Sequence, residues 1–549
     1  MVEDRRGLTD PGGGGERPRS RHRDAPAGAG WRGRIGRLAR TRATPRARPP
    51  TVIGAVFGLP VAVFLALFFV VPLVAIVRHA GTDGLGPAAR VLPFTLLQAS
   101  LSTVATLAIG LPAAFALGRY DFPGRRLVAA VITAPFVLPT VVVGAALLAL
   151  ARPGLPAILL AHTLFNVSVV VRTVGSAWTE LDVRLGEAAK TLGATPWRAA
   201  RTITFPLLGP AIGSAAAIVF LFSFTSFGVI RLLGGPAQRT LETEIYRQTA
   251  DLLRLDRAAT LALVQLGVVA VLLWASGRRS FAQTRLSITQ RTPTRPFVCV
   301  AAVIVPLMLA VVPMVVLVER SLRDPGRSGH SLRSWRALAR ASRGSGLVDA
   351  PLSSITTSLR IAVVAAAVAT TLGLAAAVAL SRAARPPRLL DLVVMAPLGT
   401  SAVTLGFGFL VANPLGLRSK WIAIPVVHAL IGMPFVVRAV GHSLRSVDPR
   451  VRDAAATLGA RPWRVFATID LPIARRPLMV GGAMALAVSL GEFGAASFLV
   501  RPTSATLPVA IGRLLSRPGS VNVGQAYALA VILAVLTGGV MIVVEGLSA

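Results

Sequence analysis

Long apolar runs alternate with short polar segments along almost the whole chain after residue 50. Twelve runs reach or approach the length of about 18 residues that crosses a bilayer as a helix. They lie roughly at 52–77, 92–117, 127–150, 157–177, 206–231, 258–276, 297–318, 354–380, 389–411, 421–440, 473–499 and 525–545. Because lipid offers no water to backbone amides, and the runs are too long for barrel strands, they predict helices. The expected fold is an all-α membrane protein with about twelve transmembrane helices.

The second half of the chain repeats the first half at an offset of 266 residues. The clearest match is polar: Glu187-Ala-Ala-Lys-Thr-Leu-Gly-Ala-Thr-Pro-Trp-Arg198 returns as Asp453-Ala-Ala-Ala-Thr-Leu-Gly-Ala-Arg-Pro-Trp-Arg464. The same offset aligns further pairs in the apolar runs: His162 with His428, Arg172 with Arg438, Pro206 with Pro472, and Phe227-Gly228 with Phe493-Gly494. Six runs per unit return the chain to its starting side, so the two units are predicted to be related by a parallel pseudo-two-fold axis.

These features divide the sequence into four parts. Residues 1–50 are rich in Arg, Gly and Pro without an apolar period, which is typical of a disordered tail. The first six-helix unit covers 51–277 and contains the repeated segment within 180–206, called loop 1 below. An Arg-bearing linker follows at 278–296, and the second unit covers 297–549 with its copy within 446–472, called loop 2.

Composition supports a membrane protein and orients it. The chain is 54% hydrophobic with a mean hydropathy of +0.67 and a formal net charge of +35. The arginines lie mostly in tails and loops beside apolar runs, which argues against nucleic-acid binding and for the positive-inside rule. The tail, the linker and the ends near Arg119 and Arg382 lie on the side of both loops, so that side and both termini are predicted to be cytoplasmic. The Arg-rich segment 319–350 is an exception that the duplication places outside.

Each repeated loop has the signals of a short helix, a turn and a second helix. Asp182 and Asp448 are placed to cap the first helix. Gly193 and Gly459 fit the left-handed position that ends it, and a Pro three residues later fits a new first turn. The loops are polar, so burial does not explain the repetition. An interfacial elbow is the simpler interpretation of one copy, whereas two copies on one face favour two docking points for a partner.

Motifs for chemistry are lacking. A phosphate-binding loop needs Gly before Lys, but the two lysines, Lys190 and Lys420, follow Ala and Ser. The single cysteine, Cys299, allows no intrachain disulfide. No metal-ligand spacing and no nucleophile motif is present, so we expect no catalytic residue, no metal and no cofactor, and a protein that is not itself an enzyme.

Four polar residues in or beside the apolar runs could face a transport pathway. Glu492 is costly in an apolar run and is therefore a functional candidate, although a position near the outer helix end, in contact with water, explains it equally well. The symmetric His162 and His428, and also Asn166, fit interhelical hydrogen bonds better than ligand contacts.

The doubled loop resembles the cytoplasmic coupling loop of permease subunits of binding-protein-dependent ABC importers, whose signature is Glu-Ala-Ala followed by Gly. Two units in one polypeptide resemble the iron(III)/thiamine branch. The resemblance implies two ABC ATPase subunits inside, a substrate-binding protein outside and a bacterial plasma membrane location. It assigns the coupling role to Glu187, Ala188, Ala189, Gly193, Pro196, Trp197 and Arg198, and to Asp453, Ala454, Ala455, Gly459, Pro462, Trp463 and Arg464.

The substrate implied by this branch is a thiamine-like cation or ferric iron. Segments Ile158–Asn166, Leu233–Pro236 with Thr240–Tyr246, and Ser489–Gly494 look more like thiamine permeases than iron permeases. Asp453 in place of Glu departs conservatively from the signature. The alternative class is an ion- or proton-coupled secondary transporter, which needs titratable groups deep in the bundle, and Glu492 alone is expected to supply one.

Overall fold

The structure is a computed structural model that describes residues 52–235, 237–277, 296–324, 329–341, 344–382, 388–416, 419–500 and 505–548. Within these ranges the chain is helical and has no β-strand beyond one isolated bridge between Arg323 and His330. The predicted tail 1–50, and the predicted linker apart from its last residue, lie outside the described residues.

The first unit contains twelve α-helices. They are α1 (Val52–Leu65), α2 (Val71–His79), α3 (Leu85–Arg119), α4 (Arg125–Thr133), α5 (Thr140–Leu150), α6 (Leu155–Thr179), α7 (Val183–Thr191), α8 (Pro196–Ala199), α9 (Phe205–Phe224), α10 (Gly228–Leu233), α11 (Leu241–Tyr246) and α12 (Leu255–Gly277). π-helical turns at Ala66–Val70, Ala200–Thr204 and Arg247–Asp251 and 3-10 turns at Thr82–Gly84 and Ala134–Phe136 connect some of them.

The second unit repeats this order. Its helices are α13 (Pro296–Leu322), α14 (Arg333–Ala337), α15 (Ser353–Arg382), α16 (Arg388–Gly399), α17 (Ala402–Ala412), α18 (Lys420–Arg445), α19 (Pro449–Thr457), α20 (Pro462–Val465), α21 (Leu471–Gly491), α22 (Gly494–Leu499), α23 (Leu507–Leu515) and α24 (Ser520–Ser548). A π-helical turn at Phe466–Asp470 and a 3-10 turn at Pro414–Gly416 complete it. From α6 onward each helix has its counterpart about 266 residues later.

The described residues contain ten helices long and apolar enough to cross a membrane, or up to twelve if two bent pairs count as one span each. The predicted straight runs 127–150 and 389–411 are wrong, because each is a pair of helices, bent by 100° and 105° respectively. Each bend has one extended residue, Pro139 with ψ 140° and Ser401 with ψ 143°. Hydropathy does not detect such a break, since the flanking residues stay apolar.

The predicted runs 206–231 and 473–499 have wrong bounds at both ends. The spans are Pro196–Phe224 and Pro462–Gly491, and the predicted last turns form the separate helices α10 and α22. Pro206 and Pro472 lie inside these spans, two residues after a π-helical turn. A proline ring clashes with the carbonyl four residues earlier, and the wider turn accommodates it without ending the helix.

The first helix of each unit packs against the other unit. Helix α1 contacts α15, and α2 contacts α17, where Leu65 and Phe409 share one apolar cluster. Correspondingly, α13 contacts α3 and α5, and Cys299 shares a cluster with Val167. Burial of these faces therefore interlocks the two units.

The start of α1 and loop 2 lie at the same end of the bundle. The ring of Phe57 stacks on that of Trp463 with 6.2 Å between centroids. At the opposite end, the Gly81 amide donates to Thr260 Oγ1 at 3.2 Å, and Thr260 begins α12. Gln525 at the start of α24 donates to the Ala337 carbonyl at 2.8 Å, which ties the Arg-rich segment to α24.

Loop 1 lies at the same end as loop 2. Helix α3 starts beside Gly81 and ends where the rings of Phe115 and Trp178 approach to 5.2 Å, directly before loop 1. Because α2 and α3 both pack along α12, both extend from the Thr260 end toward the loops. Glu545, at the end of α24, lines one cavity with Thr179, so the last helix also ends there.

Candidate functional site

Both loops fold into the same helix–turn–helix unit. Asp182 Oδ1 accepts the Arg184 amide, and Asp448 Oδ1 accepts the Arg450 amide, each at 2.9 Å, which caps α7 and α19. Gly193 and Gly459 have φ of +79° and +80° and end these helices. The local prediction of caps and turns is therefore confirmed. Pro196 and Pro462 start the next helices, α8 and α20, also as predicted.

The tip of each loop presents large apolar side chains to solvent. Leu192 and Leu458 are 87% and 88% exposed, and Trp197 and Trp463 are 69% and 63% exposed. The other predicted loop residues lie beside them: Glu187, Ala188, Pro196 and Arg198 are exposed and Ala189 is buried, while Asp453, Ala454, Pro462 and Arg464 are exposed and Ala455 is half-buried. Two equivalent apolar tips on one end of the protein are suited to bind a protein partner. The sequence analysis missed the two leucines.

Loop 2 is fastened to the membrane helices by a buried ion pair that loop 1 lacks. The Asp470 carboxylate, 1% exposed, accepts from Arg452 Nε at 2.9 Å and is paired with Arg382 at the end of α15. Arg452 belongs to α19, so one carboxylate joins that helix to α15 and α21. The positions equivalent to Asp470 and Arg452 in the first unit are Thr204 and Gly186.

We expect Asp470→Asn to lower the melting temperature of the purified chain, measured by intrinsic fluorescence. Removing one partner of a buried ion pair leaves uncompensated charge and costs about 3–5 kcal/mol. Thr204→Asn, at the equivalent position of the first unit, is the matched control and should change the melting temperature little. Equal shifts in the two variants would show that the ion pair does not fasten loop 2.

An aromatic pair lies between two cavities at the centre of the protein. Phe227 and Phe493, one from each unit and equivalent in the repeat, have ring centroids 5.3 Å apart. Both rings line a cavity of about 300 Å³ and another of about 170 Å³. The smaller cavity also carries Arg231 and Arg513. The pair therefore closes the passage between the two cavities.

The larger cavity combines aromatic rings with two carboxylates. Its walls come from both units and from both bends: Phe136, Thr140, His162, Phe165, Asn166, Phe222, Glu242, Ser401 and Glu492 are among the lining residues. Glu242 is completely buried. The expectation that Glu492 alone supplies a deep titratable group is wrong, because Glu242 lies between two spans and looks like a loop residue in the sequence.

Glu492 is compensated by its surroundings. Its Oε1 and Oε2 accept the amides of Ala495 and Ala496, each at 2.9 Å, and thereby cap α22. His428 Nε2 lies 3.2 Å from Oε2, and the other ring nitrogen contacts Ser489 Oγ at 2.8 Å. His428 thus contacts Glu492 but is not among the residues that line the cavity.

His162 and Asn166 line the cavity and retain free polar atoms. His162 Nδ1 contacts Ser102 Oγ at 2.9 Å, an interhelical contact of the kind that the sequence favoured. The Asn166 amide donates to Ser223 Oγ at 3.5 Å. His162 Nε2 and Asn166 Oδ1 are buried without a hydrogen-bond partner among the described residues. Of the four predicted pathway residues, the structure brings three to one cavity.

Metal binding has no support in the same region. Among the described residues, no group of three or more His, Cys, Asp or Glu side chains could hold a metal ion.

Comparison with known proteins matches both units. The family described as "Binding-protein-dependent transport system inner membrane component" matches residues 107–324 and 369–548. The "Thiamine transport system permease protein ThiP" of Brucella suis is 28% identical and covers 92% of this chain and 97% of that protein. The protein of the same name from Escherichia coli is 27% identical, covering 79% and 85% respectively. The "Molybdenum transport system permease protein ModB" of Escherichia coli is 33% identical over 32% of this chain and 83% of that protein.

Proposed function

The chain belongs to the family of inner membrane components of binding-protein-dependent transport systems, as a fused permease with two copies in one polypeptide, and on this basis we propose how it works. It is the permease subunit of an ABC importer. Loops 1 and 2 each receive one subunit of a separate ATPase, and a substrate-binding protein docks at the opposite end. The loop end faces the cytoplasm of a bacterium, and both termini lie on that side of the plasma membrane.

The observation that carries this proposal is the equivalence of the two loop tips. Each presents a leucine and a tryptophan at positions 266 residues apart, with the same turn geometry. A partner with two identical subunits would meet two identical surfaces. ATP-driven closure of such a partner would move the loops together, and the helices that start at Pro196 and Pro462 would carry the movement to the centre.

The moving part of the pathway is the Phe227–Phe493 pair. Its rings come from residues directly after α9 and α21, the helices that continue from the loops. Separation of the two rings would join the two cavities and open a passage, and their approach would close it. This couples the loops to the pathway through rigid helices.

The proposed substrate is a thiamine-like organic cation. The relatives named above include thiamine permeases over most of their length, and the larger cavity holds two carboxylates and several aromatic rings. Ferric iron, the other substrate considered from the sequence, would need hard ligands grouped around one point. An oxyanion would meet negative charge in this cavity.

We expect Gly193→Val together with Gly459→Val to weaken association with the ATPase by about tenfold per loop. A branched side chain at these φ values costs about 1–2 kcal/mol, although no atom lies within 4 Å of an added Cβ. The loops would therefore change conformation without any clash. The ratio of ATPase to permease after affinity purification measures this.

The matched control is Gly193→Asn with Gly459→Asn, because Asn tolerates the left-handed region. Membrane insertion should be equal in both double variants, as measured in the membrane fraction. If the Val variant retains as much ATPase as the wild type, the loops are not the docking points.

A further inference from the structure

We propose that the larger central cavity binds an organic cation during transport, with Glu242 as the counter-charge and phenylalanine rings as its walls. The inference rests on the proposed function, because a permease must pass its substrate between the two units. It goes further by naming a binding site within the permease and the residues that select the substrate.

The first step concerns the open oxygen of Glu242. The carboxylate is fully buried; Oε1 accepts from Gln265 Nε2, while Oε2 has no hydrogen-bond partner among the described residues. A buried carboxylate is costly unless an opposite charge or a hydrogen bond compensates it. Among the described residues that line this cavity there is no Lys or Arg. A cation in the cavity would supply the missing charge.

The neighbouring Glu244 shows what compensation looks like in the same helix. It is also buried, but Oε1 accepts from Arg247 Nη1 at 3.1 Å and from Gln248 Nε2 at 2.7 Å. Arg239 lies 4.0 Å from its other oxygen. Glu244 does not line the cavity. Of these two buried carboxylates of α11, the one that faces the cavity is the one with an open oxygen.

The second step concerns the aromatic wall. Phe136 lies between Phe165 and Phe222, with centroid distances of 5.8 and 6.0 Å. Phe227 and Phe493 close the cavity toward its neighbour. The faces of aromatic rings attract cations, especially where water is excluded. Such a wall suits a flat cation whose charge is spread over a ring better than a hydrated metal ion.

The third step concerns the polar atoms left over. His162 Nε2 and Asn166 Oδ1 are buried, have no partner among the described residues, and belong to side chains that line the same cavity. They offer hydrogen bonds to a ligand with ring nitrogens or amino groups. A volume of about 300 Å³ is at the lower limit of small-molecule sites, about 300–1,000 Å³. The site therefore fits a compact heteroaromatic cation.

Equilibrium binding of radiolabelled thiamine to the permease–ATPase complex in nanodiscs, without a substrate-binding protein, tests this assignment. We expect saturable binding that excess unlabelled thiamine displaces and molybdate does not. Glu242→Gln keeps the shape of the side chain and removes its charge, so the affinity should fall at least about tenfold. Glu244→Gln, outside the cavity, should leave the affinity within about twofold.

A second variant protects the test against loss of folding. If the Glu242→Gln complex cannot be purified, Phe165→Leu keeps the apolar volume and removes one ring, and should weaken binding several-fold, about the size of one cation–π contact. Wild-type affinity in the purified Glu242→Gln complex, or in Phe165→Leu where only that complex is obtained, would overturn the assignment. So would the absence of saturable binding in a wild-type complex that transports thiamine. A wild-type complex that neither binds nor transports thiamine would instead overturn the proposed substrate class and this site with it.

Discussion

Replacing Leu192 and Leu458 together with aspartate should abolish association of the chain with its ATPase. Each leucine is almost fully exposed at a loop tip, at 87% and 88%. Burying such a side chain in a partner's groove contributes about 1.5–3 kcal/mol, and a buried charge would be unfavourable in addition. Two sites act together in one assembly, so the combined loss should exceed about a hundredfold.

The measurement is the amount of ATPase that copurifies with the tagged permease, together with ATP-driven uptake into vesicles. Leu253→Asp is the matched control, because Leu253 is 78% exposed and has φ +55°, which Asp tolerates. It lies just before α12, at the end opposite the loops. Equal ATPase recovery from the Leu192→Asp/Leu458→Asp variant and the wild type would contradict docking at the tips.

Joining positions 227 and 493 covalently should stop transport completely. In a Cys299→Ala background, Phe227→Cys and Phe493→Cys together offer two thiols where the rings are now 5.3 Å apart between centroids. A short bifunctional thiosulfonate would hold the two units together at the passage between the cavities. Uptake should fall to background and return after treatment with a reducing agent, because the bridge is the only change.

Each single-cysteine variant, treated with the same reagent, is the control. A single adduct narrows the passage but does not tether the units, so it should not produce a block that depends on both thiols. Uptake that continues through the bridged protein would show that the Phe227–Phe493 pair does not separate during transport.

The sequence predicted the loops well because their signals are local. An Asp, a Gly and a Pro at fixed spacing specify a cap, a left-handed residue and a first helical turn, and each needs only its neighbours in the chain. The duplication added that both loops adopt the same form. The equivalence of Phe227 and Phe493 was also visible in the repeat, but nothing in the pattern placed them in contact across the two units.

Other features depend on tertiary structure and could not be read from the pattern. Hydropathy treats 127–150 as one span, although Pro139 turns the chain by 100°. Glu242 lies in a short helix between two spans, and only packing against Gln265 and the second unit reveals its burial. The contact of α1 with α15 depends on distant parts of the chain.

The most direct test of the central claim is uptake of radiolabelled thiamine into proteoliposomes that contain this chain. The account predicts uptake only when the ATPase is bound, ATP is present on its side and a substrate-binding protein is present on the other side. The Leu192→Asp/Leu458→Asp variant should show no uptake. Uptake by the chain alone, driven by a proton or sodium gradient without ATPase or ATP, would contradict the account and indicate a secondary transporter.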